Sequence, residues 1–420
     1  MHFVGRGLWI AVVWLVHGAI WFFGWLGLLL SFRGRAARQA WFATQLTSLL
    51  VALGATFIKV GQIMSTRPDL FPPHIIRALT RLQDNVGAFA YEHVARTIER
   101  ELGRPVEELF STFEEIPIAS ASVAQVHRAT LAGGIEVAVK VRRPKLDDLV
   151  RFDLAIMRFV ARIVALVPSF ALLAPVESVT EFGRAIRAQI DLRIEAENNR
   201  RFAKNFASDP DVRFPVLHSD LCSRGVLTME FVHGVKVLDA PQHGADSTRL
   251  ARIGFRTLLQ MVFADGFVHA DLHPGNILYA DGKIVILDLG LTAELDDAAR
   301  RAFAQFFAGF AGGNGKLMAK LMAELSPSAR VRDYAAYERE VTEFVGRYLG
   351  KALGDVQVTM VAFDMFHILR RHRVRVNPIY TMCNVALAVT EGIGKQLDPK
   401  LDLVQEAVPF FMTLRQAGRL

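Results

Sequence analysis

Lys140, Glu195, Asp271, Asn276 and Asp288 are the residue types that handling a nucleoside triphosphate would need. In VHADLHPGNILYADGKIVILDLG, Asp271 precedes Asn276 by five positions, and Asp288 opens an Asp-Leu-Gly after two short apolar runs. Phosphoryl transfer requires a carboxylate near the attacking hydroxyl, with Asp271 placed for that catalytic work. It also requires oxygen ligands for magnesium bridging the nucleotide phosphates, and Asn276 and Asp288 supply them. Alone, each aspartate would be an ordinary solvated loop residue; their order and spacing give them a common purpose. His269 and His273 flank the loop and are expected to be structural, because phosphoryl transfer asks little proton chemistry of the protein.

The same order of groups occurs in protein kinases, where a Val-Ala-Ile-Lys strand carries the phosphate-binding lysine. Here the run is Val137-Ala138-Val139-Lys140. A lysine facing a nucleotide needs a carboxylate to hold it. The helical stretch AIRAQIDLRIEAENNRRF offers Asp191 and Glu195, four apart on one face, with Asn198 three further. Glu195 is the expected partner of Lys140. No G-x-G-x-x-G precedes that lysine; Ala119-Ser120-Ala121-Ser122 stands there instead. Small side chains also allow the backbone to approach phosphate, though less freely than glycine. With Lys140 and Glu230, which lies in the strand-like RGVLTMEFV, these four residues form the expected cofactor-binding set.

Four segments must position these groups. Residues 33–110 are read as a helical extension, with apolar residues at three- and four-residue spacings through WFATQLTSLLVALGATFIKVGQIM and YEHVARTIERELG. Pro68, Pro72 and Pro73 punctuate it. From Ser111 the period becomes that of strands: SVAQVHRATL and IEVAVKVRR alternate around Ala132-Gly133-Gly134, a hairpin signal. A long helical stretch follows from about Leu146 to Phe206, broken near Pro168 and Pro175. Residues 111–234 are thus a small lobe and 235–420 a helix-rich lobe, in which Asp281-Gly282 joins two strands.

Residues 1–32 differ from the rest. LWIAVVWLVHGAIWFFGWLGLLL, from Leu8 to Leu30, lacks any charged side chain, and all five tryptophans lie at or before Trp41. About twenty apolar residues suffice to cross a bilayer as a helix, and tryptophan favours the membrane–water boundary. A cleaved signal peptide and a soluble core helix are the competing readings, and the tryptophans also suit a helix lying in the interface. Arg33, Arg35, Arg38, Lys59 and Arg67 follow before the first acid, Asp69, whereas Arg6 alone precedes the run. The positive-inside rule therefore places the bulk of the chain in the cytoplasm, on the cytoplasmic (inner) membrane. Over all 420 residues the formal net charge is +7, which favours an anionic partner. The two isolated cysteines, Cys222 and Cys383, exclude a zinc cluster or a disulfide scaffold.

The quoted motifs resemble the UbiB family of AarF-like atypical kinases. TFIKVGQIMSTRPDLFPP matches that family's KxGQ signature at Lys59, Gly61 and Gln62; SASVAQVHRA resembles its alanine-rich nucleotide loop, and HADLHPGN and DLG its magnesium motifs. The resemblance implies an α+β, two-lobed protein-kinase-like fold with a helical N-terminal extension, here preceded by one N-terminal transmembrane helix. It also implies ATP and Mg2+ as cofactors, and a function in ubiquinone (isoprenoid quinone) biosynthesis. Expected partners are a membrane lipid or isoprenoid quinone precursor and quinone-biosynthesis enzymes, not nucleic acid. By the same resemblance the KxGQ helices cover the cleft, facing an ExD motif that here reads Gln189-Ile190-Asp191. Lys59, Gln62, Gln189 and Asp191 are therefore expected to be regulatory. Gln189 lacks the charge of the family's glutamate, Ser120 replaces an alanine, and Asp-Leu-Gly replaces Asp-Phe-Gly. Two rivals stay open: a small-molecule phosphotransferase of the aminoglycoside-kinase type, and a nucleotide-responsive scaffold without catalysis.

Overall fold

Alternating valines build the first sheet. Val137, Val139 and Val141 on β4 (Glu136–Arg142) are fully buried, while Lys140 between them leaves by the opposite face. The structure, a computed structural model, describes residues 3–30, 34–65, 67, 71–82, 87–166, 175–326, 331–348, 358–374 and 376–416. Arg33, Pro68, Asp69 and Pro168, invoked above as flanking charges or breaks, lie outside these residues.

The chain divides into two compact units. The first comprises Met1–Thr66, Leu70–Ala196 and Leu217–Phe231. In it β4 pairs antiparallel with β3 (Ala124–Thr130) and β6 (Val226–Glu230); β3 also pairs with β1 (Thr112–Phe113) and β2 (Ala119–Ser120). The β3–β4 hairpin turns at Gly133 and Gly134, whose φ values of 90° and 83° suit glycine. Val94 and Ile98 of α5 (Tyr91–Leu102) and Val106 of α6 (Val106–Leu109) cover the valine face.

The preceding helices form a separate core. Leu49, Leu50 and Leu53 of α2 (Arg35–Leu53) pack with Ile58 of α3 (Ala55–Ser65) and with Ile75 and Leu79 of α4 (Pro73–Leu79). Contact with α3 is close: a Cβ on Gly61 would stand 2.3 Å from Leu82 Cδ1 and 2.9 Å from Leu50 Cδ1. The KxGQ glycine is thus a packing requirement. Val60 and Ile63 of α3 rest on a third cluster formed by α7 (Leu146–Ala165) and α8 (Pro175–Gln189). Over this unit lies α1 (Phe3–Leu30), whose segment Gly5–Leu28 is, among the described residues, the one long and apolar enough to cross a membrane. Arg6, counted above as the lone cation ahead of the apolar run, is buried against Asp153 of α7.

One expectation needs correction. Asp191 and Glu195 do not share a continuous helix: α8 stops at Gln189 and α9 (Leu192–Asn205) starts after two intervening residues. Asp191 is the physical reason, since its Oδ1 accepts the Arg193 backbone N–H at 3.1 Å and caps the new helix. Arg142, itself buried, donates to the Ile190 carbonyl at 3.1 Å and fastens the break.

The second unit comprises Arg67–Asp69, Glu197–Val216 and Val232–Leu420, so residues 197–216 cluster here and not with the small lobe. Its sheet runs β5 (Val212–Arg213), β10 (Lys283–Ile286), β9 (Ile277–Ala280), β7 (Val235–Lys236), with β10 parallel to β5. Asp281 and Gly282 close the β9–β10 hairpin with φ of 52° and 76°, both positive as a type I′ turn demands. β8 (Phe267–His269) pairs with β11 (Thr292–Glu294). The remaining helices are α10 (Ser247–Leu259), α11 (Asp297–Ala311), α12 (Gly315–Glu324), α13 (Tyr334–Tyr348), α14 (Val358–Arg371), α15 (Pro378–Leu397) and α16 (Leu403–Gln416). Leu258, Val262, Phe263, Ile286, Cys383 and Leu387 belong to its larger core. The α+β class holds, with each unit combining its own antiparallel or mixed sheet with a larger share of helix.

Candidate active site

In the first unit, strand register places the groups expected to face a nucleotide. Ala119 lies opposite Val126, Val126 opposite Lys140, and Lys140 opposite Leu227, so these four form one row on one face. Lys140 Nζ donates to both carboxylate oxygens of Glu195 at 2.9 Å. Their side chains are only 12% and 7% exposed, so the pair is charge-assisted and largely desolvated. Glu230 lies opposite Val137, on the other face from Lys140. As the last residue of β6 it would meet a nucleotide only through its backbone.

Ala119 to Ser122 are not an open loop. β2 runs into a turn in which the Ala121 N–H donates to the Ala124 carbonyl at 2.8 Å. Arg143 holds this turn, donating to the Ala121 carbonyl at 2.9 Å, the Ser120 hydroxyl at 3.1 Å and the Gly87 carbonyl at 2.8 Å. Its guanidinium also lies 5.3 Å from the Phe89 ring centroid. Sequence reasoning missed Arg143; the signal was the second arginine after the lysine strand. The Ser122 hydroxyl is fully buried and lacks a hydrogen-bond partner among the described residues. An orphaned donor at that turn fits a site that receives a phosphate oxygen.

Of the expected regulatory residues, Gln62 donates its amide to the Leu82 carbonyl at 3.2 Å, joining α3 to the chain after α4. Lys59 on α3 is half-buried. The Gln189 Oε1 is buried without a partner among the described residues, so it does not receive the Lys59 ammonium. Nor does Asp191 compensate. Its carboxylate takes Arg193 at 2.9 and 2.7 Å, with Arg224 at 3.8 Å, and the Arg193 hydrogen bonds hold its pKa below the usual carboxylate range.

In the second unit, hydrogen bonds knit the loop from Asp271 to Asn276 to the strand end before Asp288. Asn276, nearly buried, donates its amide to the Asp271 carbonyl at 3.2 Å, which leaves its side-chain oxygen as the group a cation would meet. The Leu287 N–H donates to the Asn276 carbonyl at 2.8 Å. His269 is wholly buried: its Nδ1 accepts the Asp271 N–H at 3.1 Å, so Nε2 carries the proton toward the Leu287 carbonyl at 3.3 Å. Burial pushes the His269 pKa down, against the opposing pull of Asp271, the Leu287 carbonyl and Asp288. A neutral, fixed imidazole is a strut, in keeping with the structural expectation. His273 accepts the Gly275 N–H at 3.1 Å.

Asp271 and Asp288 are exposed. Asp288 has φ of 51°, a left-handed conformation that costs a non-glycine residue roughly 1 kcal/mol and is concentrated at functional positions. Asn198 on α9, which sequence reasoning noted without a task, donates to the Leu289 carbonyl at 2.8 Å and steadies the Asp-Leu-Gly. Among the described residues no cluster of three or more His, Cys, Asp or Glu is placed to hold a metal unaided. An asparagine oxygen and an exposed carboxylate, completed by nucleotide phosphates and water, is the partial oxygen set that magnesium accepts.

Residues 81–322 match the ABC1 atypical kinase-like domain and residues 341–402 the UbiB helical domain. The chain is 35% identical over 370 residues to the probable protein kinase UbiB of Tolumonas auensis, covering 85% of this chain and 68% of that protein. It is 37% identical over 372 residues to the protein of the same name from Aeromonas salmonicida, covering 86% and 68%. Among solved structures, the complex of Rv3197 with erythromycin from Mycobacterium tuberculosis is similar over 89% of this chain and 97% of that one, at 25% identity and a TM-score of 0.59. A lysine held by a buried glutamate, a pinned Asp-x4-Asn loop and these matches lead to one conclusion: the chain belongs to the UbiB family of ABC1 atypical kinase-like proteins.

Proposed function

We propose that the protein is a membrane-bound UbiB-type kinase or ATPase that binds ATP with magnesium and supports isoprenoid quinone biosynthesis, its kinase-like part facing the cytoplasm. The observation that carries this reading is the bidentate Lys140–Glu195 pair, held on the nucleotide face of β4. Lys140 binds nucleotide phosphate, and Glu195 fixes its ammonium. The Ala119–Ser122 turn lies against the phosphates, and the Glu230 backbone meets the base. Asn276 and Asp288 would hold magnesium, which when bound neutralises charge on the phosphates. Asp271 orients the attacking hydroxyl and takes its proton as the new O–P bond forms and the bond to ADP breaks. The acceptor is a lipid-soluble quinone precursor, a partner enzyme or water.

Deleting the gene and profiling quinones by mass spectrometry tests this. Quinone should fall and its precursors accumulate, and a wild-type copy should restore the profile. Asp271→Asn should not restore it, because losing a general base slows such a step about 100-fold or more. Full restoration by Asp271→Asn would instead establish the scaffold reading.

Gln189 sets a second expectation. Its Oε1 is buried without a partner among the described residues, and Ile186 and Ile190 on either side of it pack with Val60 and Ile63 of α3. In the family pattern a carboxylate at position 189 faces the KxGQ lysine, so Gln189→Glu is expected to hold Lys59 by a charge-assisted bond of about 1.5–3 kcal/mol. Hydrogen-exchange protection across Lys59 to Gln62 should rise about tenfold, with a change in basal ATP turnover. Identical protection and turnover would make the substitution neutral.

A further inference from the structure

The buried positions of α1 form a single stripe. Arg6, Ile10, Val13, His17 and Leu28 are buried and Trp21 is half-buried, at intervals of three or four residues apart from the last. That stripe lies along α2 in antiparallel order. The Trp9 indole donates to the Ala52 carbonyl at 3.2 Å, and His17 Nε2 stands 3.5 Å from the Ser48 hydroxyl. The Trp21 and Phe42 rings are 5.6 Å apart, and a Cβ on Gly24 would stand 2.3 Å from Trp41 Cζ2. Partner numbers fall from 52 to 41 as α1 advances, so α1 lies down on α2 along its length. Beneath α2 are α3 and α4, which makes α1 the outermost layer of this unit.

The start of α1 is clamped. Arg6 donates to both carboxylate oxygens of Asp153 at 3.0 and 2.8 Å and to the Leu53 carbonyl at 2.7 Å. Asp153 is fully buried. For α1 to stand across a bilayer with the rest of the unit on one side, Arg6 would have to leave, stranding a desolvated carboxylate. Length permits a crossing, but the packing opposes one.

What α1 turns outward is apolar. Leu15 is 74% exposed, Leu8, Phe22 and Phe23 nearly as much, and Trp9, Trp14 and Trp25 are about half exposed. The end of α7 continues this character with exposed Phe159, Ile163 and Leu166. Near the start of α2 the charge is positive: Arg35 and Arg77 are exposed and both act on His74, and Arg38 is one turn along α2.

We propose that α1 is a one-leaflet anchor, lying flat in the headgroup–acyl boundary of an anionic phospholipid leaflet, with both its ends on the face that carries the kinase-like unit. This rests on the membrane-bound reading above and specifies its topology. Arg35, Arg38 and Arg77 meet lipid phosphates, and the tryptophans sit at the boundary they favour. α3, with its KxGQ glycine, then lies one helix layer beneath the lipid surface.

Cysteine labelling of the full-length protein tests this. Position 5 has open space around it, and Glu107 is an exposed site on the kinase-like unit. Gly5→Cys and Glu107→Cys would each be treated with a membrane-impermeant maleimide in right-side-out and inverted membrane vesicles, with wild-type labelling subtracted. Both should label in the same vesicle orientation. Labelling of Gly5→Cys only in the opposite orientation would overturn the one-leaflet anchor while leaving the membrane-bound reading intact. Tryptophan quenching by brominated lipids, in vesicles of phosphatidylethanolamine and phosphatidylglycerol, should be strongest for shallow bromines; strongest quenching at the bilayer centre would also overturn it. Wild-type protein that stays in solution with these vesicles, as a monomer or with a second copy covering α1, would refute the membrane-bound reading itself.

Discussion

Asp288→Asn and Lys140→Ala, each alone, should remove the magnesium-dependent thermal stabilisation that ATP confers on the wild-type protein. A ligand present at 100 times its dissociation constant stabilises by about 2.7 kcal/mol. A lost charge-assisted contact to phosphate or magnesium costs about 1.5–3 kcal/mol, a loss of 10- to 100-fold in affinity. At the upper end only about 0.4 kcal/mol of stabilisation remains. The two variants differ without nucleotide. Asp288 is exposed and left-handed, a conformation asparagine tolerates equally, so Asp288→Asn should melt close to wild type. Lys140→Ala strands Glu195, 7% exposed, and should melt lower by the equivalent of about 1–3 kcal/mol. Thermal-shift titration with ATP, with and without magnesium, separates these effects. Undiminished stabilisation in both variants would remove these residues from the nucleotide site.

Asp153→Asn should destabilise the first unit by about 3–5 kcal/mol, the usual cost of leaving one partner of a buried ion pair alone. Asp153 is wholly buried and bidentate to Arg6, so the lone guanidinium would remain among apolar helices. Replacing both, Arg6→Met with Asp153→Leu, should recover most of that loss because apolar groups of similar volume need no pairing. Denaturant unfolding in detergent reads both changes. A single variant within about 1 kcal/mol of wild type would mean that water reaches the pair.

Much of the site was legible because its signals are local. Asp271, Asn276 and Asp288 lie within one hairpin-bearing stretch, and Asp281-Gly282 has the chemistry its two positive φ values need. Lys140 was legible because strand alternation puts it opposite three buried valines. Glu195 was the expected partner of Lys140 from the motifs around it, and the folded chain joins the two across 55 residues. Asp191 misled because the spacing from Asp191 to Glu195 reads as one helix face. A capping aspartate starts a helix where periodicity runs through, and Arg193 and Arg224 hold its carboxylate.

By itself the sequence determined the α+β class, the kinase-like order of motifs and the apolar first helix, since each rests on residue type and short-range period. Tertiary structure alone decided that Arg143 holds the small-residue turn, that Glu230 faces away from Lys140, and that the Gln189 Oε1 is buried without a partner among the described residues. It also decided where Arg6 goes. A charge count sees a cation beside an apolar run and assigns it to water. Packing brings in Asp153 from 147 residues away and buries both, because a desolvated charge is stable only beside its opposite.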